Sequence, residues 1–192
     1  MYRNGKPVLF AIALFFCCLV RAELAAQVPT VGVLAGINFS TVTGTDASAR
    51  NRFFPAPHLG IYADWTIAPL LGFQPGLMLY SRKGTNNRSS KFREDYFELP
   101  LLLRYRVRPQ LDLLAGPQLS FLYSARVNDP RGDITETIRN IDVGLVFGGR
   151  YQLDPEWNVG ARFVPGLSRI LASGDQRRYN FVLQLSLGYV LN

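Results

Sequence analysis

Cysteine and histidine are almost absent from this chain of 192 residues. The two cysteines, Cys17 and Cys18, lie near the N-terminus, and His58 is the single histidine. Metal centres built from cysteine and histidine are therefore excluded, as are disulfides in the rest of the chain. The glycines follow strand periodicity and form no phosphate-binding loop, so we expect no metal and no cofactor.

Long apolar runs are also missing, apart from one of 13 residues between Val8 and Val20. Basic residues precede this run, and small residues follow it in the stretch RAELAAQ. The run is too short for a transmembrane helix and has the layout of a secretory signal peptide. We predict a cleaved signal peptide over residues 1–26 and a single domain over residues 27–192. An uncleaved membrane anchor is the alternative.

Beyond this segment the chain alternates between two unlike sets of residues. In residues 58–67, for example, one face carries Leu59, Ile61 and Trp65 while the other carries His58 and Asp64. This period of two is typical of strands. Eight such segments are joined by short turns near Pro69, Pro109 and Pro155 and by longer polar connections at residues 41–56, 83–95, 125–138 and 170–178. The pattern predicts an all-β fold, an eight-stranded antiparallel up-and-down β-barrel with both termini at the short-turn end.

Lysine is too scarce for the outside of a soluble barrel. Beyond the N-terminal segment the chain has only Lys83 and Lys91, both in one long connection. A water-exposed barrel wall needs many charged side chains, whereas the polar face here is rich in glycine. The apolar face is therefore expected to contact lipid, and the polar face to line the lumen of a transmembrane barrel.

The stretch YFELPLLLRYRV, residues 96–107, fits this arrangement because its charges share one face. Pairing across the turn at Pro109 sets Arg106 opposite Asp112, and Glu98 is expected to bind an arginine such as Arg104, Arg150 or Arg162. Pro100 lacks an amide hydrogen, so we expect a β-bulge there. The predicted lumen charge network comprises Glu98, Arg104, Arg106, Asp112, Asp142, Arg150 and Arg162.

Aromatic residues on the apolar face collect towards the strand ends, as in the girdles of membrane barrels. At the long-loop end these are Phe39, Phe97, Tyr123 and Phe181, and at the other end Trp65, Tyr105, Tyr151, Trp157 and Tyr189.

The excess positive charge is concentrated in the long connections. The stretch SRKGTNNRSSKFR provides most of it, through Arg82, Lys83, Arg88, Lys91 and Arg93. Nucleic acid is an implausible partner for an exported membrane protein. Outer-membrane lipid, the phosphates of lipopolysaccharide or an acidic protein partner are the expected counter-charges, and a solvated loop without a partner is the alternative.

Two functions remain open: a structural or interaction barrel that docks partners through its loops or turns, and a transport barrel for ions or small solutes. The interior of an eight-stranded barrel is just wide enough for side chains, which disfavours open diffusion of solutes. A narrow channel for ions or small solutes is therefore the alternative function. A pair between Ser40 and His58 is a weak catalytic signal without a third group, so we expect no enzyme.

Six segments carry a family resemblance over residues 28–192. They are GINFS (36–40), LYSRKG (79–84), YFELPLLLRY (96–105), AGP (115–117), DVGLVFGGRY (142–151) and LGYV (187–190). With these the chain resembles the porin-family or PorT-like outer-membrane β-barrel proteins of Gram-negative bacteria. The resemblance implies an integral outer-membrane location, and one member of that family is tied to protein secretion across the outer membrane. We predict a structural or interaction role, in envelope assembly or as an accessory of protein secretion.

Overall fold

A computed structural model describes residues 28–45, 52–87, 90–127, 138, 140–168, 170 and 178–192, with only the backbone of Asn87, Ser90 and Lys91. The predicted signal peptide and its cleavage site lie outside these residues. Eight strands form: β1 Thr30–Thr43, β2 Arg52–Ala68, β3 Leu71–Asn87, β4 Ser90–Arg108, β5 Leu111–Val127, β6 Ile141–Gln152, β7 Trp157–Pro165 and β8 Tyr179–Val190. No helix in the described part of the chain is long and apolar enough to cross a membrane.

The strands close into one barrel in which each pairs with its sequence neighbours. All pairs are antiparallel, and β1 pairs with β8 from Gly32 opposite Val190 to Thr43 opposite Tyr179. Closure satisfies the backbone groups that an open sheet would leave at its edges, which a barrel in lipid requires. The predicted eight-stranded up-and-down barrel is thereby confirmed.

The outer wall is apolar and the inner wall is mostly polar, because side chains alternate along each strand. Leu59, Leu103 and Phe147 are each about half exposed on the outside. Their inward neighbours include His58 and Arg104, at 2% exposure each. This outer surface suits a lipid environment, because the apolar side chains on it then contact lipid instead of water.

A β-bulge in β3 reverses the orientation of the residues that follow it. Met78 pairs with Glu98, whereas Ser81 pairs with Tyr96, so β3 contains one extra residue between these pairs. One extra residue moves every later side chain to the opposite face. Lys83, which we assigned to the basic outer loop, therefore points into the lumen and is 2% exposed.

Pro100 itself causes no bulge, contrary to the expectation. Its pairing with Gln118 on β5 keeps the register of the neighbouring pair Leu99 and Leu119. On its other side Gly76 leaves room, since a Cβ there would lie 3.1 Å from Cγ of Pro100. The absence of a side chain at Gly76 accommodates the ring within a regular ladder.

The connection expected at residues 83–95 is largely strand. β3 continues to Asn87 and β4 begins at Ser90, so the two form a long hairpin that extends the barrel wall. Arg82, Lys83 and Arg93 are strand residues rather than parts of a loose loop, so the pleat fixes the direction in which each of these side chains points.

Candidate functional site

Charged side chains inside the barrel form a tight cluster at the short-turn end. Nε of Arg104 donates to Oδ1 of Asp64 at 2.8 Å, and Nη2 of Arg150 donates to Oδ2 of Asp64 at 2.7 Å. The same Nη2 lies 2.7 Å from Oδ2 of Asp112, while Nε of Arg106 lies 3.1 Å from Oδ1 of Asp112. Two carboxylates thus hold three guanidinium groups.

Four members of this cluster were predicted, but Asp64 was not. Arg106 faces Asp112 across the β4–β5 turn, as the hairpin register requires. Asp64 lies on β2, separated from β4 by all of β3. Arg104 reaches it by crossing Gly72, where a Cβ would come within 2.5 Å of Nη2 of Arg104. The inward position of Asp64 and the glycine between them were the available sequence signals.

A second cluster surrounds Lys83 towards the long-loop end. Its Nζ lies 2.7 Å from Oε1 of Glu98, 3.8 Å from Oδ2 of Asp142 and 3.2 Å from Oγ of Ser120. The ammonium also lies 4.5 Å from the centre of the Tyr96 ring, close enough for a cation–π contact. The predicted arginine partner of Glu98 is therefore wrong: the bulge in β3 supplies a lysine instead.

Arg162 stays outside both clusters, although we predicted it in the network. Its side chain is buried, and Nη2 lies 3.4 Å from Oε1 of Gln74. It makes no ion pair with a carboxylate among the described residues. This contact with Gln74 lies between the two charged clusters.

Apolar side chains fill the lumen alongside these polar groups. Leu102, Leu114, Val146, Val164 and Val182 pack against one another, each at 3% exposure or less. The spaces around this layer, one beside Lys83 and one beside Arg162, leave no room for a water molecule between the described side chains. Alternation along each strand directs these five side chains inward, and closure of the barrel brings them into contact.

His58 bonds to a different serine from the one considered above. Its Nε2 lies 2.9 Å from Oγ of Ser186 on β8. Gly36 on β1 separates the two and pairs with both, and its missing side chain lets the imidazole pass, since a Cβ would lie 2.8 Å from Cε1 of His58. Ser40 instead contacts the backbone of Gly84. Nδ1 of His58 has no hydrogen-bond partner, so no third group orients the ring among the described residues.

The remaining basic residues of the predicted outer loop differ in their surroundings. Arg82 makes a bidentate ion pair with Asp95, with Nε 2.6 Å from Oδ1 and Nη2 3.1 Å from Oδ2. Its guanidinium also lies over the ring of Tyr80. Arg93 is exposed, 6.0 Å from the centre of the Phe54 ring. Arg88 and the side chain of Lys91 lie outside the described residues.

The aromatic residues predicted as girdles lie on the outer wall. Phe97 packs on Tyr123 with ring centres 4.8 Å apart, and Trp157 packs edge-on against Tyr189 at 4.9 Å. Phe181 contacts Phe163 and Phe53, which were not predicted. Phe39, Trp65, Tyr105 and Tyr151 are half-buried or exposed on the same wall.

Groups that could hold a metal ion are absent from the described residues, where no three histidine, cysteine or acidic side chains converge suitably. The arrangement is that of ion pairs and packed apolar groups, which rigidify the interior of a barrel.

Comparison with known proteins identifies the family to which this barrel belongs. The family model of the outer membrane protein beta-barrel domain matches residues 25–172. Among curated proteins, none matches the sequence. The neisserial surface protein A has the same fold with a TM-score of 0.63 and 14% identity, over 86% of this chain and 100% of that one. The Ail protein of Yersinia pestis, solved with the heparin analogue sucrose octasulfate, gives a TM-score of 0.54 and 12% identity over the same shares. The chain belongs to the outer membrane protein beta-barrel domain family.

Proposed function

We propose that this protein is a closed outer-membrane barrel that acts through its two ends by docking partners, in envelope assembly or as an accessory of protein secretion. The apolar layer of Leu102, Leu114, Val146, Val164 and Val182 carries this proposal. A lumen filled by these packed side chains disfavours a path for solute, and we therefore favour the rims and the lipid-facing wall as the surfaces used for function.

The secretion role follows the PorT-like resemblance of the sequence, and export through a cleaved signal peptide is part of the same proposal. The partners we propose are outer-membrane lipid, lipopolysaccharide and a protein of the envelope. Exposed Arg93 at the long-loop end favours an anionic partner, whereas the charge of Arg82 is already balanced by Asp95. Ail, which has the same fold, was solved with a polysulfated sugar, a ligand that is negatively charged like the partners proposed here.

A narrow channel is the competing function, and the closed lumen argues against it. An ion crossing the barrel would have to leave its water shell beside buried apolar groups, at a cost that the packed layer does not offset. Catalysis is likewise not proposed: His58 is 2% exposed and contacts one serine.

Crosslinking in intact outer membranes tests the docking role. The tagged barrel would be purified after crosslinking and its companions identified, with a tagged unrelated barrel of similar abundance as the control. We expect a stoichiometric protein partner with the barrel and not with the control. Recovery of the barrel alone, together with steady conductance of the purified protein in planar bilayers, would favour the channel instead.

A further inference from the structure

A polar cavity opens at the short-turn end of the barrel, which faces the periplasm in outer-membrane barrels. It has a volume of about 310 Å³ and is lined by Asp64, Asp112, Thr66 and the three arginines Arg104, Arg106 and Arg150, among other residues. This periplasmic cavity is much larger than the spaces at mid-barrel, which admit no water.

The carboxylate oxygens in the periplasmic cavity already accept hydrogen bonds. Both oxygens of Asp64 accept hydrogen bonds, from Nε of Arg104 and Nη2 of Arg150. Both oxygens of Asp112 accept as well, from Nε of Arg106 and Nη2 of Arg150. The two carboxylates are therefore occupied by the protein itself, and an entering cation would meet no free carboxylate oxygen.

The donors are in surplus. Each guanidinium carries five N–H groups. Nε of Arg150 is buried and has no hydrogen-bond partner. The side chain of Arg106 is 41% exposed, and its two terminal nitrogens donate to no acceptor among the described residues. Three guanidinium groups against two carboxylates also leave this wall with a net charge of plus one.

Tyr62 lies at the inner part of the cavity. Its hydroxyl accepts a hydrogen bond at 3.1 Å from Nδ2 of Asn158, and its ring lies over Gly32 of β1, where a Cβ would come within 2.5 Å of the hydroxyl oxygen. Tyr62 also belongs to an apolar group with Leu34 and Met78. A ligand that enters from the short-turn end would therefore meet Tyr62 and this apolar group at the inner part of the cavity.

We propose that the periplasmic cavity binds a small oxyanion, the carboxylate or phosphate group of a periplasmic ligand. Oxyanions supply the acceptors that the free terminal N–H groups of Arg106 lack, and a planar guanidinium binds them through paired hydrogen bonds. The net positive charge that Arg106 shares with Arg104 and Arg150 attracts them to this wall. This site goes beyond the docking role and does not depend on whether a protein partner exists.

Nitrogen-15 NMR of the full barrel in lipid nanodiscs tests the site. Acetate and inorganic phosphate would each be titrated at constant ionic strength against chloride, and the Nε–H signals of Arg106 and Arg150 followed. We expect saturable shifts of both signals with at least one anion, and the anion that saturates shows whether carboxylate or phosphate is preferred. Shifts that grow linearly with both anions would overturn the proposal.

Variants distinguish specific binding of the anion from general electrostatic screening by salt. Arg106→Gln removes one charged donor and should weaken binding about tenfold. Arg106→Lys keeps the charge but loses the planar pair of donors, and we expect an intermediate loss. Arg108→Gln, two residues further along at the exposed turn, is the matched control and should bind like the unmodified protein. Equal affinities for Arg106→Gln and Arg108→Gln would contradict the site.

Discussion

Nζ of Lys83 lies 2.7 Å from Oε1 of Glu98, and the two side chains are 2% and 0% exposed. Neither charge can be satisfied by bulk water at that depth, so each depends on the other. Breaking such a pair is costly because it leaves one buried charge without its partner.

Lys83→Met should lower the free energy of unfolding by about 3–5 kcal/mol, since Glu98 then stays buried and unpaired. The double variant Lys83→Met with Glu98→Met removes both charges and should be more stable than the single variant. Urea unfolding of the barrel in lipid vesicles measures both. A double variant no more stable than Lys83→Met would show that the pair is not the source of the loss.

Gly36→Ala should destabilise the barrel by about 1–3 kcal/mol, because an added methyl group meets the carbonyl oxygen of Leu185 and the ring of His58. Gly160→Ala is the control, since its Cβ would lie 3.6 Å from the carbonyl oxygen of Gly149, an ordinary contact. Thermal unfolding in the same detergent compares the two. Equal unfolding temperatures would contradict the crowding at Gly36.

The apolar layer should control conduction. Replacing Leu102, Val146 and Val182 together with serine should admit water and give measurable conductance in planar bilayers, whereas the unmodified barrel should show no steady open state. Leu103→Ser changes the neighbouring residue that faces lipid, at 53% exposure, and should leave the barrel closed. Steady conductance of the unmodified protein would refute the closed lumen.

Phe97 and Tyr123 should stabilise the long-loop end jointly. A double-mutant cycle with leucine at both positions should give a coupling of about 0.5–1.5 kcal/mol in the free energy of unfolding. Phe97 combined with Tyr151, at the opposite end of the barrel, should give a coupling near zero. Comparable couplings in both cycles would indicate a general effect on the membrane anchor rather than contact between the two rings.

The sequence by itself determined the features that depend on local periodicity. Alternation along each strand determines that Leu103 faces out while Arg104 faces in, and the tight turn at Pro109 determines that Arg106 meets Asp112. These relations hold within one strand or one hairpin, where the pleat and the turn leave little choice.

Only the tertiary structure decided the partners that lie further apart. Lys83 faces inward because one extra residue in β3 shifts the hydrogen-bond register. No residue type in that stretch indicates the shift. His58 meets Ser186, 128 positions away, only because the barrel closes β8 against β1. Such contacts arise from closure and register, which are set by the summed pairing of all eight strands rather than by any one segment.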